Sequence, residues 1–110
     1  MSFSSVSTDI KAFVRFNGTT NFSGFCSIDS ARNVSSVTDN GTGDYTVNFT
    51  TAITDTNYCA NVSAQGSDGE DNGMFVYLQT YNTGSFRCGA RTERNSGKTD
   101  SPKMNVVIFR

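Results

Sequence analysis

The stretch from Asn33 to Phe49 constrains the fold more than any other part of the chain. Val34-Ser35-Ser36-Val37 leads into Thr38-Asp39-Asn40-Gly41-Thr42-Gly43-Asp44, and Tyr45-Thr46-Val47-Asn48-Phe49 leads out. In an extended chain successive side chains point to opposite faces. Tyr45, Val47 and Phe49 therefore share one face, with Thr46 and Asn48 on the other. Gly41 and Gly43 take positive φ at low cost, and Asp39 and Asn40 bond back to their own backbone. The spacing predicts a hairpin whose connection, Thr38 to Asp44, is longer than a tight Asn-Gly turn and contains a turn or bulge.

Most of the chain repeats this grammar. Phe3 and Val6 are the apolar residues of an otherwise polar lead-in, so residues 1–10 read as an arm and 11–110 as a single β-rich domain. Ala12 to Phe16 is the first clear strand, and Asn17-Gly18-Thr19-Thr20-Asn21 reads as a turn by composition. Phe22 to Ile28 forms a return strand with Cys26 and Ile28 on one face. After a link from Thr50 to Asn57, Tyr58, Ala60, Val62 and Ala64 share a face. Gln65 to Gly73 is the most polar segment and reads as an exposed loop. Met74 to Leu78 is β-prone without alternation, which predicts that both its faces are covered. Tyr81 to Gly84 turns the chain, Ser85 to Ala90 returns it, and a second loop, Glu93 to Pro102, precedes the last strand, Lys103 to Arg110. The fold class is all-β: a small antiparallel β-sandwich or barrel-like domain.

Composition excludes several classes. At 35% hydrophobic and 17% charged residues, the chain is too apolar for a disordered tail and too polar for a membrane protein. No apolar run is long enough for a spanning helix, and no signal peptide opens the chain, so a soluble protein without membrane insertion is expected. The absence of histidine removes the usual neutral-pH proton shuttle and the commonest metal ligand. Cys26, Cys59 and Cys88 are odd in number and form no Cys-x-x-Cys pair, so they read as buried free thiols behaving as small hydrophobes. One disulfide with a leftover thiol is the alternative.

The search for chemistry is mostly negative. The usual catalytic triad cannot be assembled without histidine, and no phosphate-binding loop or serine elbow is present. A glycosidase needs two placed carboxylates. Asp39/Asp44 and Glu70/Asp71 are candidates in principle, but both pairs sit in Gly/Asn-rich segments where acids are solvated turn formers. Asp68, Glu70, Asp71 and Asn72, or Asp39, Asn40 and Asp44, offer oxygen ligands without matching a calcium loop. No catalytic residue, metal or cofactor is therefore assigned. Arg87, Arg91, Arg94 and Lys98 form a loose basic cluster near Phe86. It is too sparse in charge and stacking rings for a nucleic-acid groove, and a solvated face or an intersubunit salt bridge is expected instead.

The last strand bears on assembly. Met104, Val106 and Ile108 line one face; Val107 and Phe109 line the other. Phe13 against Val14 and Phe16, and Phe75 and Tyr77 against Met74, Val76 and Leu78, show the same two-sidedness. A lone small sandwich normally wets one face of each sheet, so these strands call for a second surface, which closed self-assembly supplies. Coverage by the chain's own terminal segments is the alternative. Arg110 closely follows Phe109, so no later segment is expected to cover this strand.

Lys11-Ala12-Phe13-Val14-Arg15-Phe16-Asn17-Gly18-Thr19 resembles the opening of a short domain common in tail-fibre and other structural proteins of bacteriophages, especially phages of cyanobacteria and marine bacteria. That family usually has tryptophan at the position of Phe13 and asparagine at that of Arg15. The likeness continues nearly residue for residue from Ala31 to Phe49, through Asp55-Thr56-Asn57-Tyr58, and in the ending Met104 to Arg110. It covers about two-thirds of the chain and is weakest from Gln65 to Asp100. The resemblance implies a β-rich, non-enzymatic virion module, assembled in the host cytoplasm and trimeric, often at the C-terminal end of a fibre. A short tail or neck fibre or adhesin subunit is the first expectation. Met1 stands only ten residues before the motif, which suggests the alternative of a separate short subunit such as a capsid decoration protein.

Two candidate surfaces follow. Asp68, Glu70, Asp71, Arg91, Arg94 and Lys98 lie in loops that could meet a host-surface glycan, with Tyr77 or Tyr81 as apolar platforms. Val107 and Phe109 are the candidate trimer interface. Other virion proteins are the expected further partners, and no nucleic acid is expected.

Overall fold

The computed structural model describes residues 9–66, 74–92 and 97–110. It contains eight strands: β1 (Ile10–Phe22), β2 (Phe25–Arg32), β3 (Val34–Gly41), β4 (Asp44–Phe49), β5 (Cys59–Gln65), β6 (Phe75–Tyr81), β7 (Ser85–Arg91) and β8 (Lys103–Phe109). All pairings are antiparallel, in the order β5-β8-β1-β2-β3-β4-β7-β6. The single sheet curls into a nearly closed barrel. Its edge strands, β5 and β6, touch without a hydrogen-bonded ladder between them. Of the two expected architectures, barrel-like is the one observed and two packed sheets are not.

The alternation in each strand sorts the interior from the surface. Tyr45, Val47 and Phe49 on β4 point inward, as do Ala12, Val14 and Phe16 on β1 and Met104, Val106 and Ile108 on β8. Phe86, Cys88 and Ala90 complete the wall from β7. Burying one of the valine, isoleucine, methionine or phenylalanine side chains contributes about 1.5–3 kcal/mol. Outside, the β3–β4 hairpin carries a polar ladder: Asn48 Nδ2 donates to Ser36 Oγ (3.1 Å) and Thr38 Oγ1 (2.9 Å), and Asn40 Nδ2 donates to Thr46 Oγ1 (2.7 Å).

The local readings need four corrections. Asn17 to Asn21 is not a turn but the far half of β1, where the pairing with β2 is irregular. Thr20 Oγ1 donates to the Asn17 carbonyl (2.6 Å) and accepts from Ser27 N–H (2.8 Å), so side chains replace missing ladder bonds. The real turn is Ser23-Gly24, both at positive φ. The β3–β4 connection is also shorter than expected: Gly41 pairs with Asp44, leaving Thr42-Gly43 as a two-residue turn beside a register shift at Asn40.

The third correction concerns β6. Phe75 is 48% exposed and Leu78 40% exposed, so this strand is not covered on both faces within the chain. β6 is an edge strand, and its pairing with β7 shifts register between Leu78 and Thr80. The fourth concerns the cysteines. Cys26 and Cys88 are buried free thiols, but Cys59 lies exposed on edge strand β5. Burial pushes the Cys26 and Cys88 thiols up to about 12.

Asn33 fastens the barrel's seams. It sits at φ 57° between β2 and β3, a conformation in which asparagine is better tolerated than most residues. Its Nδ2 donates to the carbonyls of Lys11 and Thr51, each at 3.0 Å, and its Oδ1 accepts from Thr51 N–H at 2.7 Å. One side chain thus joins β1, the β2–β3 corner and the link after β4.

Candidate functional site

The residues singled out from the sequence fall into two places. Asp68, Glu70, Asp71 and Arg94 lie outside the described residues. Arg91 ends β7 and bridges to Lys98 across the second loop. Val107 and Phe109 lie on the outer face of β8, away from Arg91 and Lys98 in the sheet order.

Around Arg91 and Lys98 the structure joins Asp44 and Tyr77 to basic residues that the sequence had grouped only as a loose cluster. Asp44 opens β4 with its side chain only 9% exposed. Arg87, on the neighbouring strand β7, grips it with both arms: Nε to Oδ1 at 2.8 Å and Nη2 to Oδ2 at 2.6 Å. Lys98 Nζ lies 3.7 Å from Oδ2, and Asn40 Nδ2 donates to Oδ1 at 3.3 Å. The Arg87 hydrogen bonds hold the Asp44 carboxyl below the usual carboxylate range. This corrects two expectations. Asp44 is an anchored, largely buried anion rather than a solvated turn former, and Arg87 is spent on a bridge within the chain.

Tyr77 stands at the centre of the cluster. It pairs with Gly89 on β7, where a β-carbon would collide with the tyrosine ring and with the Gly43 carbonyl. The Tyr77 hydroxyl donates to that carbonyl at 2.6 Å, and burial pushes its phenol up to about 12. The Arg91 guanidinium lies 4.4 Å from the ring centroid and Lys98 Nζ 5.6 Å, within cation–π range. The Arg91 guanidinium therefore occupies a face on which a sugar would stack. Tyr81 instead packs with Tyr58 (5.2 Å) and Phe86 (5.0 Å), with about a third of its surface exposed.

Asp100 ties the second loop to the same end of the barrel. Its Oδ1 accepts from Gly43 N–H (2.8 Å) and from the Tyr45 hydroxyl (2.9 Å). The described acids at this end are thus committed to structural contacts. No group of three or more potential metal ligands occurs among the described residues.

The second place is apolar. Phe13 on β1 pairs with Val107 on β8, and Ile10 pairs with Phe109, all with side chains on the outside of the barrel. Ile10, Phe13, Val107, Arg15, Ser30 and Asn105 line a surface groove of about 310 Å³. The outer face of β8 is therefore partly covered but not closed.

Compared with known proteins, the chain matches no family model, and no curated protein or solved structure matches it.

Proposed function

We propose that this chain is a non-enzymatic structural subunit of a bacteriophage particle, a short tail or neck fibre or adhesin-type module that acts as a homotrimer. The observation that carries the reading is the Ala31–Phe49 motif, whose likeness to phage structural domains is nearly residue for residue. The architecture is compatible with that role: an eight-stranded barrel in which Asp44 and Asp100 are spent on structural contacts at one end. The partly open apolar strip of Ile10, Phe13, Val107 and Phe109 supports self-association.

Host attachment through a surface glycan is part of the proposal, carried by the loops around Asp68-Gly69-Glu70-Asp71 and Arg91 to Lys98. Since Tyr77 is engaged by Arg91, binding there rests on polar contacts rather than on stacking. Replacing the two loops by short Gly-Ser turns is expected to abolish adsorption to host cells in an otherwise intact particle. Unchanged adsorption overturns the receptor-binding part alone.

Proteomics of purified particles tests the broader role. The protein is expected in the virion at a few trimers per particle. Hundreds of copies would instead identify a capsid decoration subunit, and synthesis during infection with absence from particles would refute a virion role.

A further inference from the structure

The tip of the β1–β2 hairpin is the most exposed apolar feature among the described residues. Phe22 is 66% exposed and Phe25 46% exposed, and they are register partners on either side of the Ser23-Gly24 turn. The tip is built to hold that shape. Asn21 Oδ1 accepts from Gly24 N–H (2.9 Å), Asn21 Nδ2 donates to Asp39 Oδ2 (3.1 Å), and Asp39 N–H donates to the Gly24 carbonyl (2.9 Å). Two phenyl rings are thus presented on a pinned turn and contribute nothing to the core.

The groove on the outer face of β1 and β8 is the complementary feature. A cavity of ~150 Å³ admits a benzene molecule, so about 310 Å³ has room for two phenyl rings. Its walls are Ile10, Phe13 and Val107, with Arg15 and Asn105 at its polar side. Arg15 is the charged residue among those lining the groove. The tip carries Asp39. Neither Arg15 nor Asp39 has an ion-pair partner among the described residues.

We propose that the Phe22–Phe25 tip of one copy seats in the groove between Ile10, Phe13 and Val107 of a second copy. This rests on the self-association reading and specifies its contact. Tip and groove are different patches of one strand, nine residues apart at Phe13 and Phe22 and so roughly 30 Å apart when extended. Every copy gives a tip and receives one, so the contact closes either as a reciprocal two-fold pair or as a ring, or runs on as an open chain; the trimer reading selects the ring. It removes the exposed phenyl rings from water and brings Asp39 toward Arg15 of the groove.

A mixing experiment by sedimentation velocity tests this. Phe22→Ser with Phe25→Ser removes the tip, and Val107→Lys blocks the groove. All three positions face outward, so each variant is expected to keep the wild-type melting profile. Should Val107→Lys fail to fold, Arg15→Glu on an exposed side chain serves as the groove variant. Each variant alone is expected to be monomeric, with self-association weakened about 100-fold or more. An equimolar mixture is expected to form a two-chain species, because one intact tip meets one intact groove. Wild-type assembly by the tip variant, or a mixture that stays monomeric, overturns the proposal while leaving self-association by another contact intact. A monomeric wild-type protein overturns both.

Discussion

The hydroxyl of Tyr45 on β4 reaches across the barrel to the carbonyl of Gly18 on β1, 3.0 Å away, and also lies 2.9 Å from the Asp100 carboxylate. Gly18 N–H donates to the Ser101 carbonyl at 2.7 Å. A β-carbon on Gly18 would collide with the Tyr45 phenol and lie 2.8 Å from the Ser101 oxygen. The fully buried Tyr45 ring also meets Phe16 edge to face at 5.1 Å. Gly18→Ala is therefore expected to destabilise the fold by about 1–3 kcal/mol, the range for overpacking a tight interior. Tyr45→Phe removes only the hydroxyl and is expected to cost roughly 1.5–3 kcal/mol, as for a hydrogen bond to a charged group. Equilibrium denaturation measures both.

The Asp44 contacts with Arg87, Lys98 and Asn40 make a pH-dependent contribution. Because the folded state holds this carboxyl below its unfolded value, the stabilisation is present above the ordinary carboxylate range. It is lost as pH falls through the lower, folded-state value. Asp55, gripped by Arg110 at 2.9 and 2.7 Å, is lowered to about 2 and behaves with the same sign. The wild-type melting temperature is expected to drop below about pH 4. Asp44→Asn, expected to cost about 1–3 kcal/mol at neutral pH, flattens that drop. An unchanged acid profile in this variant contradicts the assignment.

Asn33 provides a test of backbone against side chain. Asn33→Gly keeps the positive φ and loses the three side-chain hydrogen bonds to Lys11 and Thr51. Asn33→Ala loses the same bonds and adds strain in the left-handed region of roughly 1 kcal/mol. Thermal melts are expected to rank wild type above Gly and Gly above Ala. Ala equal to Gly would remove the backbone part of the argument.

Thiol chemistry separates the three cysteines. In the native protein a maleimide reagent is expected to modify Cys59 alone, since Cys26 and Cys88 are buried and poorly ionised. Denaturation exposes all three, and Cys59→Ser leaves the native protein unlabelled. Mass spectrometry of the labelled chain checks each count.

The inward faces of the strands were legible because the two-residue period is local. Tyr45, Val47 and Phe49, or Met104, Val106 and Ile108, announce their burial without knowledge of any partner strand. Asn17 to Asn21 misled because composition cannot show that Gly18 is required by a phenol 27 residues away in the chain. The Asp44–Arg87 bridge spans 43 residues, and nothing near either residue advertises it. Read from the sequence, Phe22 and Phe25 fall together in one return strand. The turn instead falls between them, at Ser23-Gly24, and both rings are exposed.

Sedimentation equilibrium of the wild-type protein beside Phe109→Asp tests the central claim of a self-assembling structural subunit most directly. Phe109 lies on the outer face of β8, and a carboxylate there would be buried unpaired in the proposed assembly, at a cost large enough to break it. The wild type is expected at three chain masses across micromolar concentrations, and the variant at one or unfolded. A wild-type protein that remains a folded monomer over that range contradicts the account.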